Sequence, residues 1–280
     1  MGRLLRITAA ARIHGLLRCL SSSGTVMRFE SWDGTKIAYQ EWGTETTLTL
    51  MPAVLHHGFV ANAQANWVAT GVVQALLAAG RRVVALDARG HGESEKPHDP
   101  ACYGEQLMVR DLAVLLDRLE VQQVDLVGYS MGAIVALLCA SCDARVRRLV
   151  VGGVGAGVVE CGGVDRRAVS NDAIVEALDT DDPAGIESPE ALAFRNLADF
   201  LHADRIALSA QARSVYRGGV DLQRISAPTL VLAGSEDPMA VRPEVLAEAI
   251  PNASLQTLAG NHVEALGDPN FSRSLVDFLA

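Results

Sequence analysis

Val124-Asp125-Leu126-Val127-Gly128-Tyr129-Ser130-Met131-Gly132-Ala133-Ile134-Val135-Ala136-Leu137-Leu138 is the stretch that decides the fold of this 280-residue chain. A largely apolar run leads into a serine flanked by glycines, and a second apolar run leaves it. The pattern reads strand, sharp turn, helix. A G-x-S-x-G pentapeptide in that setting is a nucleophile elbow. The serine hydroxyl must stand clear of the sheet, which forces a strained backbone. Side chains at 128 or 132 would collide with the neighbouring strand and helix, so both positions are glycine. The turn also places Ser130 at a helix N-terminus, where free N–H groups favour negative charge.

Outward from the elbow, strands and helices alternate. Met27–Ser31 and Lys36–Trp42 read as strands around the turn Asp33-Gly34. Leu48–Leu55 reads as a third strand that ends at His56-His57-Gly58, and Arg82–Leu86 as a fourth. Trp67–Ala79 has helical periodicity with Gly80 as its cap, and Glu105–Leu119 gathers its leucines on one face. Val146–Val151, Pro228–Ala233 and Ser254–Leu258 read as strands, and Pro243–Ile250 and Asn270–Leu279 as helices. The expected fold is α/β: a mainly parallel sheet of about eight strands with helices on both faces. Between Gly152 and Ala227 the alternation stops. Helical pieces at Asp172–Leu178, Pro189–His202 and Leu208–Tyr216 predict a small helical cap inserted after the sixth strand, over about residues 158–217. Gly152-Gly153-Val154-Gly155-Ala156-Gly157 imitates a dinucleotide loop, but Val158 stands where the third glycine belongs, and no helix is expected there. It reads as a flexible entry to the cap.

Composition narrows the function. The net charge of −9 and a pI near 5.3 give nucleic-acid binding no electrostatic support. No apolar run is long enough to span a bilayer. Five scattered cysteines, with only Cys139 and Cys142 close in sequence, predict neither a zinc site nor a disulfide scaffold, so a reducing cytoplasm is expected. Residues 1–26 carry four arginines and no acid, and read as a leader or disordered tail ahead of one domain over 27–280.

A serine hydroxyl needs a base within hydrogen-bond reach. His262, in Leu258-Ala259-Gly260-Asn261-His262, follows a strand and precedes the last helix, the loop position where such sites assemble. The base in turn needs a carboxylate to fix its tautomer. Asp237 follows the strand Thr229-Leu230-Val231-Leu232, and Glu236 beside it is the second candidate. A tetrahedral oxyanion needs two donors. The N–H of Met131, next to the nucleophile, supplies one. The N–H of Phe59, in the loop after the third strand, supplies the other, and its ring is a candidate pocket wall.

Together these motifs make the chain resemble the α/β-hydrolase superfamily over roughly residues 27–280. Asp87-Ala88-Arg89-Gly90-His91-Gly92-Glu93-Ser94 adds to the likeness. It resembles the loop after the fourth strand in capped esterases, perhydrolases, enol-lactonases and epoxide hydrolases, where it mainly shapes the backbone near the site. His91 is a second candidate base. Capped epoxide hydrolases and haloalkane dehalogenases use an aspartate nucleophile, and Ser130 in that place points instead to acyl transfer. The resemblance implies a serine hydrolase of the carboxylesterase type with the triad Ser130, Asp237 and His262. No cofactor or metal is expected. The expected partners are a small acyl substrate and water, and the cap's Ala, Leu and Val content predicts a mainly apolar substrate portion. C–C bond hydrolysis, perhydrolysis with peroxide in place of water, and a non-catalytic ligand-binding protein are the alternatives. The sequence leaves the oligomeric state open.

Overall fold

A computed structural model describes residues 24–44 and 51–280. The predicted leader lies almost wholly outside the described residues, as does the first part of the predicted third strand. Eight strands form one sheet: β1 (Thr25–Glu30), β2 (Lys36–Trp42), β3 (Ala53–His56), β4 (Val83–Leu86), β5 (Val124–Tyr129), β6 (Val146–Gly152), β7 (Thr229–Gly234) and β8 (Ala253–Leu258). Their order across the sheet is β1-β2-β4-β3-β5-β6-β7-β8. Strands β1 and β2 are antiparallel, and β2 meets β4 antiparallel; every other pairing is parallel. Strand β1 begins two residues before the strand the sequence predicts, since Thr25 and Val26 already pair with Glu41 and Gln40.

The central strands are apolar runs because both faces are covered. Every residue of β3, β4, β5 and β7 is buried. On one face lie α2 (Glu105–Arg118), α3 (Met131–Ala140) and α8 (Pro243–Ala249), bringing Met108, Leu112, Ile134 and Leu246 into the core. On the other lie α1 (Val72–Ala78) and α9 (Pro269–Leu279), with Val73, Leu76, Phe271 and Leu275. Helix α3 is buried on nearly all sides, which explains why its sequence shows no polar face.

Two predicted elements differ from the structure. The helix expected over Trp67–Ala79 is broken by Gly71 at φ 83° into a π-helical turn, Gln64–Val68, and α1. And a helix does open in the glycine-rich stretch, α4 (Ala156–Cys161), where neither a helix nor rigidity was expected. Glycine is a poor helix former, but here it permits contact. A Cβ on Gly155 would lie 2.5 Å from the Val241 carbonyl oxygen, and one on Gly157 2.6 Å from Asp165 Cβ. The segment is closely packed. Between β6 and β7 three further helices follow: α5 (Asn171–Asp179), α6 (Pro189–Phe200) and α7 (Arg205–Ala212). Side chains of Ser170, Ser188 and Asp204 cap their N-termini, and Ile174, Ala177, Ala191 and Leu208 form their own small core.

From β3 the chain crosses to β4 on one side, then returns past β3 to place β5 on the other. The carboxyl ends of β3 and β5 therefore flank a topological switch point, where open α/β sheets bind ligands.

Candidate active site

Ser130 sits at that point, between the end of β5 and the first turn of α3. Its backbone is at φ 53°, ψ −117°, a conformation that a non-glycine residue holds only when its surroundings over-determine it. The surroundings are visible. The Ser130 N–H donates to the Gly152 carbonyl at 2.8 Å, tying the turn to the end of β6. A Cβ on Gly128 would strike the Gly132 carbonyl, and one on Gly132 the carbonyls of His56 and His57. Both glycines are needed for the turn to exist.

The loop after β3 faces the elbow. A Cβ on Gly58 would come within 3.3 Å of Ser130 Cβ, so glycine here also permits a close approach. Four side chains clamp this loop. His57 Nδ1–H donates to the Gly58 carbonyl at 2.8 Å, and its Nε2 accepts the Ala88 N–H at 2.9 Å. His91 Nε2 accepts the Val60 N–H at 3.1 Å, Asn66 Oδ1 the Gly58 N–H at 3.0 Å, and Asp87 Oδ1 the Ala63 N–H at 2.8 Å. Val60 is held at φ 68° as a result. The Phe59 N–H is left over and finds no acceptor among the described residues, and neither does the Met131 N–H at the head of α3. Free donors at the tip of a clamped loop and at a helix start are what an oxyanion requires.

These clamps settle the Asp87–Ser94 motif as scaffold. Both nitrogens of His91 are engaged, Nε2 with Val60 and Nδ1 with the Arg89 carbonyl at 3.0 Å, so neither is offered to Ser130. Burial, with His57 close by, holds its pKa well below the ordinary value. Burial likewise lowers His57 to about 4 and His56 to about 3. All three rings stay neutral, packed at tilted angles of 35° and 60° with centroids 5.8 Å and 5.1 Å apart. Arg89 is wholly buried and binds Asp111 through two bonds of 2.6 and 2.7 Å. The sequence did not mark Asn66 as a clamp; a lone Asn carries no spacing signal.

On the other side of the elbow, the loops after β7 and β8 meet. His262 Nδ1 lies 2.7 Å from Asp237 Oδ2, and the Asp237 side chain is fully buried. Its other oxygen accepts the Met239 N–H at 2.8 Å. Glu236 is exposed and has no side-chain hydrogen bond among the described residues. The ring of Tyr129, the residue before Ser130, lies 5.2 Å from that of His262, and its hydroxyl donates to the His262 carbonyl at 2.5 Å. This contact links elbow and histidine loop, and the sequence reading missed it. A Cβ on Gly153 would lie 2.8 Å from His262 Cε1, so that glycine makes room for the imidazole. Among the described residues, Ser130 Oγ and His262 share no hydrogen bond.

A cleft opens over Ser130, roofed by the helices between β6 and β7. Phe59, Ile174, Phe194, Val215 and Met239 give it apolar walls, with the Phe59 and Phe194 rings 5.8 Å apart. Among the described residues, Glu105, Asn171 and Gln211 are its polar side chains besides Ser130 itself. No helix among the described residues is long and apolar enough to cross a membrane.

Comparison with known proteins agrees with this architecture. Residues 53–272 match the model of the alpha/beta hydrolase family. A 2-hydroxymuconate semialdehyde hydrolase of Pseudomonas sp. (strain CF600) is 43% identical over 105 residues, which span 36% of this chain and 36% of that protein. A putative carbamate hydrolase of Variovorax paradoxus (strain S110) is 30% identical over 236 residues, 74% of this chain and 84% of its own. An esterase from Exiguobacterium antarcticum superposes with a TM-score of 0.72 at 25% identity, covering 92% of this chain and 99% of that one. With a parallel sheet, a strained serine at its switch point and a family match over most of its length, the chain belongs to the alpha/beta hydrolase family.

Proposed function

We propose that this protein hydrolyses a small carboxylic ester or related acyl compound through an acyl-enzyme on Ser130. The observation that carries the reading is the strained Ser130 turn with two free N–H groups beside it. The buried Asp237–His262 pair at 2.7 Å supports it. Ser130 Oγ attacks the carbonyl carbon, and His262 Nε2 takes the hydroxyl proton. Asp237 holds the proton on Nδ1 and stabilises the imidazolium. The oxyanion accepts from the Phe59 and Met131 N–H groups. His262 then gives its proton to the leaving alkoxide. Water, deprotonated by the same Nε2, releases the acid and restores Ser130. The bond between Ser130 and His262 forms as substrate seats, since catalytic hydrogen bonds often tighten only in the complex. The helices between β6 and β7, over about residues 158–217, act as the cap. The unpaired thiols Cys102, Cys139, Cys142 and Cys161 suit a reducing cytoplasm.

The likeness to a 2-hydroxymuconate semialdehyde hydrolase favours one second reading, cleavage of a C–C bond beside a ketone by the same residues. A fluorophosphonate probe tests the serine reading: it labels Ser130 in the wild type and not in Ser130→Ala, which also turns over no short-chain ester. Labelling elsewhere, or turnover retained in Ser130→Ala, refutes it. Turnover of a β-diketone with none of simple esters selects the C–C reading.

A further inference from the structure

The cleft over Ser130 holds more polar capacity than ester cleavage uses. Gln211, on α7, is 3% exposed. Its Nε2 donates to Met131 Sδ at 2.6 Å, and its Oε1 is buried with no partner among the described residues. Whichever way the amide faces, one end meets only a sulfur and the other nothing. The Asn171 Nδ2, at the start of α5, is also buried without an acceptor. Glu105, at the start of α2, is 3% exposed, and its carboxyl accepts the Tyr216 N–H at 2.7 Å and its own backbone N–H. Burial raises its carboxyl above the ordinary range. Among the described residues, no Lys, Arg or His lines the cleft. A buried polar atom without a partner is costly and calls for one.

We infer that the cleft receives an acyl group ending in an uncharged function that both donates and accepts hydrogen bonds, an amide or hydroxyl, and rejects one ending in a carboxylate. The inference rests on Ser130 as the acylated residue. The donor of such a group satisfies Gln211 Oε1, and its acceptor takes the Asn171 N–H. Glu105 receives a donor when ionised and offers a proton when neutral. A carboxylate there meets no cation, and repulsion from an ionised Glu105 adds to the cost of burying it.

Methyl esters of glutaric acid monoamide, glutaric acid and isoheptanoic acid share a branched terminus and differ in its polarity. Wild type should favour the monoamide, with kcat/KM at least about a hundredfold above the glutarate, as burying an unpaired charge demands. Gln211→Met should lower the monoamide-to-isoheptanoate ratio about tenfold, the scale of a lost buried hydrogen bond. Glu105→Gln, which keeps the acceptor for Tyr216, should narrow the gap to glutarate. Glutarate as the best substrate, or a ratio unmoved by Gln211→Met, overturns the inference. Calorimetric binding of the three esters to Ser130→Ala reads the same order without turnover. That order in binding, with no hydrolysis by wild type, keeps the cleft inference and removes the hydrolase reading. Hydrolysis with no preference does the reverse.

Discussion

Replacing Asp237 by Asn removes the charge and the tautomer control of the proposed mechanism while preserving shape. Asp237 Oδ1 accepts the Met239 N–H at 2.8 Å. The Asn carbonyl retains that contact, which turns the new NH2 toward His262 Nδ1. Nδ1 must then accept, so the ring proton moves to Nε2, the nitrogen that has to take the Ser130 proton. The lost attraction is sizeable as well. The carboxylate is fully buried while His262 keeps 20% of its side chain exposed, which argues for an intermediate local dielectric. At an effective dielectric of about 20, a carboxylate and an imidazolium about 4 Å apart attract by about 4 kcal/mol. That term exists only once His262 is protonated, in the transition state, so its loss lowers kcat by about three orders of magnitude. The wrong tautomer pushes the loss toward about four. The assay is kcat on a short-chain nitrophenyl ester, with thermal unfolding to confirm an intact fold and Glu236→Gln as the control. A loss under about tenfold in Asp237→Asn, or an equal loss in Glu236→Gln, refutes the assignment of Asp237 as the partner of His262.

Three other outcomes follow from the geometry. Gly132→Ala drives a methyl group into the carbonyls of His56 and His57, so it should destabilise the fold by roughly 3 kcal/mol in urea denaturation and abolish activity; a wild-type midpoint would mean the turn has slack. Asp125, at the base of β5, is paired with buried Arg81 and with Arg147. Asp125→Ala strands Arg81 and should cost about 3–5 kcal/mol by chemical denaturation, and a loss below about 1 kcal/mol would show that water reaches Arg81. The third concerns pH. His57 titrates at about 4 when folded, so above its unfolded pKa near 6.5 it contributes no pH dependence. Below that value the unfolded chain binds the proton first, and stability falls as pH drops from about 6.5 toward 4. Asp87 and Glu105, raised by burial, oppose this slope, so the comparison must be made against a variant. His57→Gln should make the unfolding free energy less steep by up to about 1.4 kcal/mol per pH unit in that window; an unchanged slope would mean His57 is protonated in the folded protein.

Most of the fold was legible because its signals are local. Central strands read as unbroken apolar runs, and Gly80 stops its helix as expected, at φ 77°. The misreadings fall where a distant contact decides. Gly71 breaks a periodic segment that pattern alone would continue. Helix α4 forms in a glycine-rich stretch because Val241 and Asp165 pack against its bare backbone. Asp237 and His262 meet, and the N–H groups of Phe59 and Met131 find no acceptor among the described residues. The clamps that leave Phe59 free were hidden, since His57, Asn66, Asp87 and His91 act on a loop from different elements.

The sequence by itself determined the glycine-flanked turn at Ser130, the strand–helix order and the loop positions of Asp237 and His262. Each is a matter of a few adjacent residues and their backbone preferences. Only the tertiary structure decided which buried histidines are scaffold and what the cleft offers a substrate. Glu105, Asn171 and Gln211 stand on three helices, with no motif joining them. Their polarity matters because folding brings them into one desolvated space, where an unpaired amide oxygen or carboxyl acquires a cost it would not have in water.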